Sequence, residues 1–235
     1  MSQNSDHAPG GKFSSVWLRD RDPQPDGMPL SSGRITSKAI EILDSRGLDA
    51  LTMRTLAKEL EISAPSLYWH IRTKEEVIEL AIDQVFSELP IPKESAPWRG
   101  RIHSQLTAWR DLMIRHPWVP SEALRRVLLG PNFLAQLETL QSTLHGAGFE
   151  GQQHLTASWL LYNQVMGSAS ARSAMKLGEA DLRLSQQFID SQSERYPALA
   201  RSHYLRDEHW DQNFSAGLNY LLDGLERQLS DSSKS

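Results

Sequence analysis

The sequence predicts an all-α fold, and three observations carry that expectation. Apolar residues recur at helical spacing in each periodic stretch, beginning with Ile35, Ala39 and Leu43. No segment sustains the period-2 alternation of a half-buried strand, and no asparagine–glycine pair marks a hairpin. Capping residues and glycines stand where those helical stretches start and stop.

From Ile35 a first helix runs to Gly47, which stops it. A second starts after an N-cap at Thr52, with Leu56, Ala57 and Leu60 turned inward. Ser63 caps a third, and Pro65 sits in its first turn, where a missing N–H costs little. Thr73 and Glu76 have capping-box spacing for a fourth, whose stripe of Ile78, Ile82, Val85 and Leu89 is a buried face. "LPIPKESAP" (Leu89–Pro97) breaks the pattern. Beyond it, helices are expected over Trp98–His116, Pro131–Leu144, Gln152–Met175 and Asp207–Leu229. The implied organisation is an extension (1–33), a compact three-helix module with its following helix (34–89), a larger helical domain (90–229) and a short tail (230–235). The extension is rich in Pro, Gly, Ser and Asp and reads as flexible, except that Val16, Trp17 and Leu18 offer apolar groups that can dock.

Composition bounds the function. The chain has 235 residues and no cysteine, which excludes disulfides and thiol chemistry. No apolar run approaches bilayer length and the N-terminus lacks a leader's apolar core, so a cytoplasmic location is expected. Net charge is −4. Its distribution is uneven: residues 34–74 carry seven basic groups against five acids, while 75–235 carry 15 against 20. The only positive block surrounds "ISAPSLYWHIRTKEE" (Ile62–Glu76), a margin that suits contact with phosphates.

Within that stretch, Leu67, Ile71 and Ala64 share one face of a helix at 100° per residue. Pro65, Ser66 and Trp69 fall opposite, flanked by Tyr68 and His70. A short helix on a three-helix support, entered by a tight turn, suits a DNA major groove. Small residues at its start let the backbone approach base edges. The hydroxyl, indole and imidazole groups that follow can reach phosphate oxygens, joined by Arg54, Arg72 and Lys74.

The run from Arg34 to Leu89 closely resembles the DNA-binding domain of tetracycline-repressor (TetR) family regulators. The Gly47 break, "LTMRTLAKEL", the small-residue turn, "LYWH" and Lys74 at the start of the fourth helix carry the resemblance. It implies that Thr52, Arg54, Ala64, Pro65, Ser66, Tyr68, Trp69, His70 and Lys74 lie at or near DNA, with Arg34 in the same basic block. Ala64 and Ser66 are poor base readers, which leaves sequence preference to Arg54, methyl contacts and DNA shape.

"WRGRIHSQLTAWRDLMIRHPWV" and "LGPNFLAQLETLQSTLHGAGF" look like the ligand-binding domain of the subgroup nearest the tetracycline repressor itself. The resemblance implies a homodimer reading a palindromic operator and a small-molecule effector of unknown identity. Residues expected around that effector are Trp98, His103, Leu106, Trp109, Arg110, Met113, Phe133, Leu137, Trp159, Tyr162, Asn163 and Met166. The dimer seam is expected at Gly167 and Ala171 on the long helix and at Trp210, Phe214, Leu218, Leu221 and Leu225 on the last, with packing inside one chain as the alternative for these faces. Relatives that bind a tetracycline–magnesium chelate place imidazoles in the stretches matching "QVFSELPIPKES" and "PSEALRRVLLGP". Neither contains histidine here, which argues against that chelate.

"GAGFEG" (Gly146–Gly151) matches a dinucleotide-loop pattern but follows an amphipathic helix, so a helix end explains it better. No HExxH, paired cysteine or phosphate-cradling Gly–Lys loop is present. The expectation is a DNA-binding regulator with no cofactor, no metal, no membrane and no catalytic residue. A constitutive binder or activator without an effector is the alternative.

Overall fold

The computed structural model describes residues 15–18, 31–92, 96–174, 178–202 and 209–232. Among these there is no strand. The helices are α1 (Ser32–Arg46), α2 (Met53–Glu59), α3 (Ala64–His70), α4 (Lys74–Phe86), α5 (Trp98–Arg115), α6 (Val119–Ala123), α7 (Pro131–Gly146), α8 (Gly151–Ala174), α9 (Glu179–Ser191), α10 (Pro197–Ser202) and α11 (Trp210–Ser232). The fold is all-α, as expected.

Local chemistry explains the N-terminal helices. Ser31 accepts from the Arg34 N–H, so α1 begins at Ser32, one turn before the expected start at Ile35. Gly47, at φ 77°, ends it. Thr52 and Ser63 cap α2 and α3 through the N–H groups of Thr55 and Ser66. Between those helices Glu61 takes φ 58°, a left-handed conformation that costs a side-chain-bearing residue energy. Thr73 caps α4 through the Glu76 N–H. The Glu76 carboxylate also accepts from the N–H of Arg72 at 3.0 Å.

Ile35, Ala39, Leu43, Leu56, Leu67, Ile71, Val77 and Ile82 seal the core under α1 to α4. That core is continuous with the one formed by α5, α7, α8 and α11. The joint between them is polar as well as apolar. Asp44 on α1 lies 2.8 Å from His116 Nδ1 and accepts from the Trp118 indole N–H, also at 2.8 Å. Asp83 on α4 accepts from the backbone N–H groups of Asn132 and Phe133 at 2.9 and 3.0 Å, and so caps α7 from another helix. Helix α7 needs this, because its own N-cap position is Gly130.

Helices α6, α9 and α10 have no counterpart in the sequence reading. The first and last span only five and six residues. The apolar groups of α9 are not gathered into a core: Leu184 and Phe188 are both exposed. The expected ends at Met175 and Asp207 lie outside the described residues.

Candidate nucleic-acid interface and effector core

Helix α3 divides as its angular arrangement predicts. Leu67 and the following Ile71 are buried, Ala64 is half-buried, and Pro65 and Ser66 face solvent. Trp69 is 87% exposed and Tyr68 49%, while His70 is half-buried on the flank. An indole so fully in water on a helix whose opposite side is sealed contributes nothing to folding. It is available to a partner.

Around α3 the polar groups differ in exposure and in the bonds that hold them. Thr52 and Ser66 hydroxyls are held by the caps, at 2.9 Å from Thr55 Oγ1 and 2.7 Å from Ser63 Oγ respectively. Arg54, in the first turn of α2, is exposed, as is Arg34 on α1. Lys74 is half-buried, and its Nζ donates to the Leu48 carbonyl at 3.0 Å. Its ammonium therefore pins the turn after α1 to the start of α4 and leaves fewer donors for a phosphate. The N–H groups at the starts of α2 and α4 add positive dipole ends beside α3.

The larger part of the chain divides the expected effector residues among several places. Trp109 and Phe133 meet Phe86 at the end of α4, with ring centroids 5.7 and 5.1 Å from that of Phe86, both edge-on. Leu106, Met113 and Met166 are buried as well. Gln136 threads this apolar cluster. Its Oε1 accepts from Trp109 Nε1 at 3.1 Å and Gln105 Nε2 at 3.2 Å, and its Nε2 donates to the Leu89 carbonyl at 3.1 Å. Gln105 and Gln136 were not singled out by sequence reasoning. A lone glutamine on an amphipathic helix carries no signal until its partners are known.

Trp98 lies elsewhere, edge-on to Phe149, and His103 Nε2 is 3.2 Å from Ser215 Oγ on α11. Half-buried Leu137 packs against the core. Arg110 is 1% exposed at the junction of α5, α8 and α11. It donates to Ser168 Oγ, pairs with Asp211 at 2.8 Å, and stacks over Phe214. Trp159 is exposed and packs edge-on against half-buried Tyr162, whose hydroxyl pKa burial pushes up; Asn163 is exposed.

The residues expected at the dimer seam differ in exposure within the chain. Phe214, Leu218 and Leu225 are 4%, 0% and 7% exposed, so the apolar stripe of α11 packs within the chain. Leu221 and Trp210 are half-buried, the latter beneath the Arg172 guanidinium. Gly167 and Ala171 do face outward on α8, in line with exposed Leu155, Trp159 and Asn163. On α11 the outward groups include Ala216, Tyr220 and Gly224.

No helix among the described residues is long and apolar enough to cross a membrane, and these residues hold no cluster of three potential metal ligands.

A helix-turn-helix head with an exposed aromatic face, joined to a larger helical body, is the architecture of a transcriptional regulator of the helix-turn-helix class. Comparison with known proteins gives the family. Residues 35–81 match the family described as bacterial regulatory proteins, tetR family, and residues 91–229 match the tetracyclin repressor-like C-terminal domain. The chain belongs to the TetR family of transcriptional regulators. It is 37% identical over 227 residues to an HTH-type transcriptional regulator of Saccharopolyspora erythraea, covering 95% of this chain and 94% of that one. To the HTH-type transcriptional repressor DrrR1 of Streptomyces coeruleorubidus it is 30% identical, covering 90% and 83%. Apo ActR of Streptomyces coelicolor superposes with a TM-score of 0.79 at 27% identity, covering 87% of this chain and 99% of ActR. ActR has also been solved in complex with actinorhodin.

Proposed function

We propose that the protein is a homodimeric repressor that leaves a palindromic operator when a small molecule occupies its larger domain. Residues 34–89 form the DNA-binding part and 90–229 the effector and dimerisation part. The observation that carries the DNA-binding half is the outward Tyr68–Trp69 pair on a helix whose inner face is sealed. Pro65 and Ser66 approach base edges, while Tyr68, His70 and Arg54 grip the backbone on either side. Arg34, Thr52, Ala64 and Lys74 complete the contact surface.

Release follows from α4. It starts beside the recognition helix at Lys74 and ends with Phe86 packed on Trp109 and Phe133. A ligand that displaces Trp109 or Phe133 must move Phe86, and α4 carries that movement to the head. Coupling of this kind amounts to about 1–3 kcal/mol. DrrR1 is described as a repressor and ActR binds actinorhodin, and both relationships support the reading. Two copies meet through the outward faces of α8 and α11, where Gly167, Ala171, Ala216 and Gly224 permit close helix approach.

Footprinting the DNA upstream of the protein's own gene across a salt series tests the proposal. A protected palindrome with steeply salt-dependent affinity, released by a library compound, is expected. Protection that no compound relieves favours the constitutive alternative. Trp109 and Phe133 already fill the centre of the effector region, an arrangement compatible with that alternative.

A further inference from the structure

We propose that Ser15–Leu18 is a strap that fixes α4 against residues 127–130 and so preorganises the recognition helix for DNA. The inference rests on the regulator reading for its consequence but on separate contacts for its structure. Ser15 is 2% exposed although it belongs to the polar extension. Its hydroxyl donates to Glu79 Oε2 at 2.7 Å, and the Val16 N–H donates to the same oxygen at 2.9 Å. The carboxylate thus caps the single turn Val16–Leu18 from α4, as Asp83 caps α7 four residues further along the same helix.

The Trp17 indole stands at the cleft between these two caps. Glu79, Ile82 and Asp83 form one wall of it, and Val127, Gly130 and Phe133 lie on the other. The void left there is about 10 Å³, room for no more than a single water. The turn therefore bridges the helix that supports α3 and the segment that leads into α7.

This position gives the strap leverage. A dimer reads two half-sites only when both heads are correctly spaced, and every alternative seat of α4 lowers the fraction of molecules ready to bind. Contacts made in one seat alone raise that fraction, whether or not they touch DNA. Ser15 holds the turn to α4 and Trp17 lines the cleft between α4 and the 127–130 segment, so both count only while the joint keeps its arrangement.

Full-length Trp17→Ala, Trp17→Phe and Ser15→Ala proteins test the strap by two readouts. The first is backbone hydrogen exchange, which needs no DNA. Trp17→Ala is expected to speed exchange in the second half of α4 and across residues 128–134, while α8 and α11 keep wild-type rates. The second is affinity for a duplex selected from a random library by the wild-type protein. Trp17→Ala is expected to bind it more weakly, on the order of tenfold, with Ser15→Ala intermediate and Trp17→Phe near wild type. Unchanged exchange in both segments overturns the strap itself. Faster exchange with equal or tighter DNA binding overturns its preorganising role. A wild-type protein that selects no duplex overturns the regulator reading, and the exchange data then judge the strap contact alone.

Discussion

Gly130 and Asp83 meet at the joint between α4 and α7 with no room for a side chain between them: a Cβ on Gly130 would overlap the Asp83 carboxylate. The glycine is required for space and not for conformation, since its φ is −67°. Its absent side chain lets the carboxylate reach the N–H groups of Asn132 and Phe133. Gly130→Ala is therefore expected to destabilise the protein by about 1–3 kcal/mol through overpacking. Asp83→Ala loses a helix cap, at a cost of about 0.5–2 kcal/mol, but removes the obstruction. The two changes together should cost less than their sum, and a double-mutant cycle by urea denaturation measures the difference. Strict additivity would mean that the joint relaxes elsewhere.

Trp69 separates binding from folding. At 87% exposure its removal leaves the core untouched, so Trp69→Ala should change unfolding stability by no more than about 0.5 kcal/mol. The same change, or Tyr68→Ala, is expected to weaken binding to the selected duplex by about tenfold or more, corresponding to a lost contact of about 1–3 kcal/mol. Fluorescence anisotropy and denaturation on the same preparations check both halves. A variant that keeps wild-type affinity would remove α3 as the recognition element.

Gln136 is the polar centre of an otherwise apolar cluster. Gln136→Leu fills the space but strands the buried Trp109 N–H, while the Gln105 amide keeps its 2.7 Å bond to the Gln136 backbone carbonyl. An unsatisfied buried donor costs about 1–3 kcal/mol, so thermal stability should fall appreciably. Adding Trp109→Phe removes that stranded donor and should recover part of the loss. If the single variant is as stable as wild type, the glutamine network is dispensable.

Tyr162 predicts an alkaline limit. Desolvation raises its hydroxyl pKa above the ordinary 10.0 in the folded chain, so the folded state holds the proton more tightly than the unfolded state. Its contribution is fully present below pH 10.0 and is lost as pH rises through the higher folded value. Tyr162→Phe should therefore flatten the fall in stability above that pH. Urea titrations on both proteins from neutral pH upward would expose an unchanged slope, which would exclude this residue as the cause.

The sequence by itself determined the all-α fold, the helix-turn-helix head and the face that α3 presents. Those features rest on local chemistry: Thr52, Ser63 and Thr73 cap helices within three residues of themselves, and the spacing of Ala64, Leu67 and Ile71 defines a buried side. The joint depended on partners distant in the chain. Asp83 caps a helix some fifty residues away, Glu79 caps a turn some sixty residues before it, and Asp44 joins His116 and Trp118. A carboxylate on a helix looks the same in sequence whether it faces water or another helix's N–H groups. Likewise, the stripe through Phe214, Leu218 and Leu225 announced a buried face without saying whose surface would cover it. Periodicity fixes which residues leave water, and only tertiary packing decides what they meet, because apolar burial is non-directional and a hydrogen bond requires one particular partner.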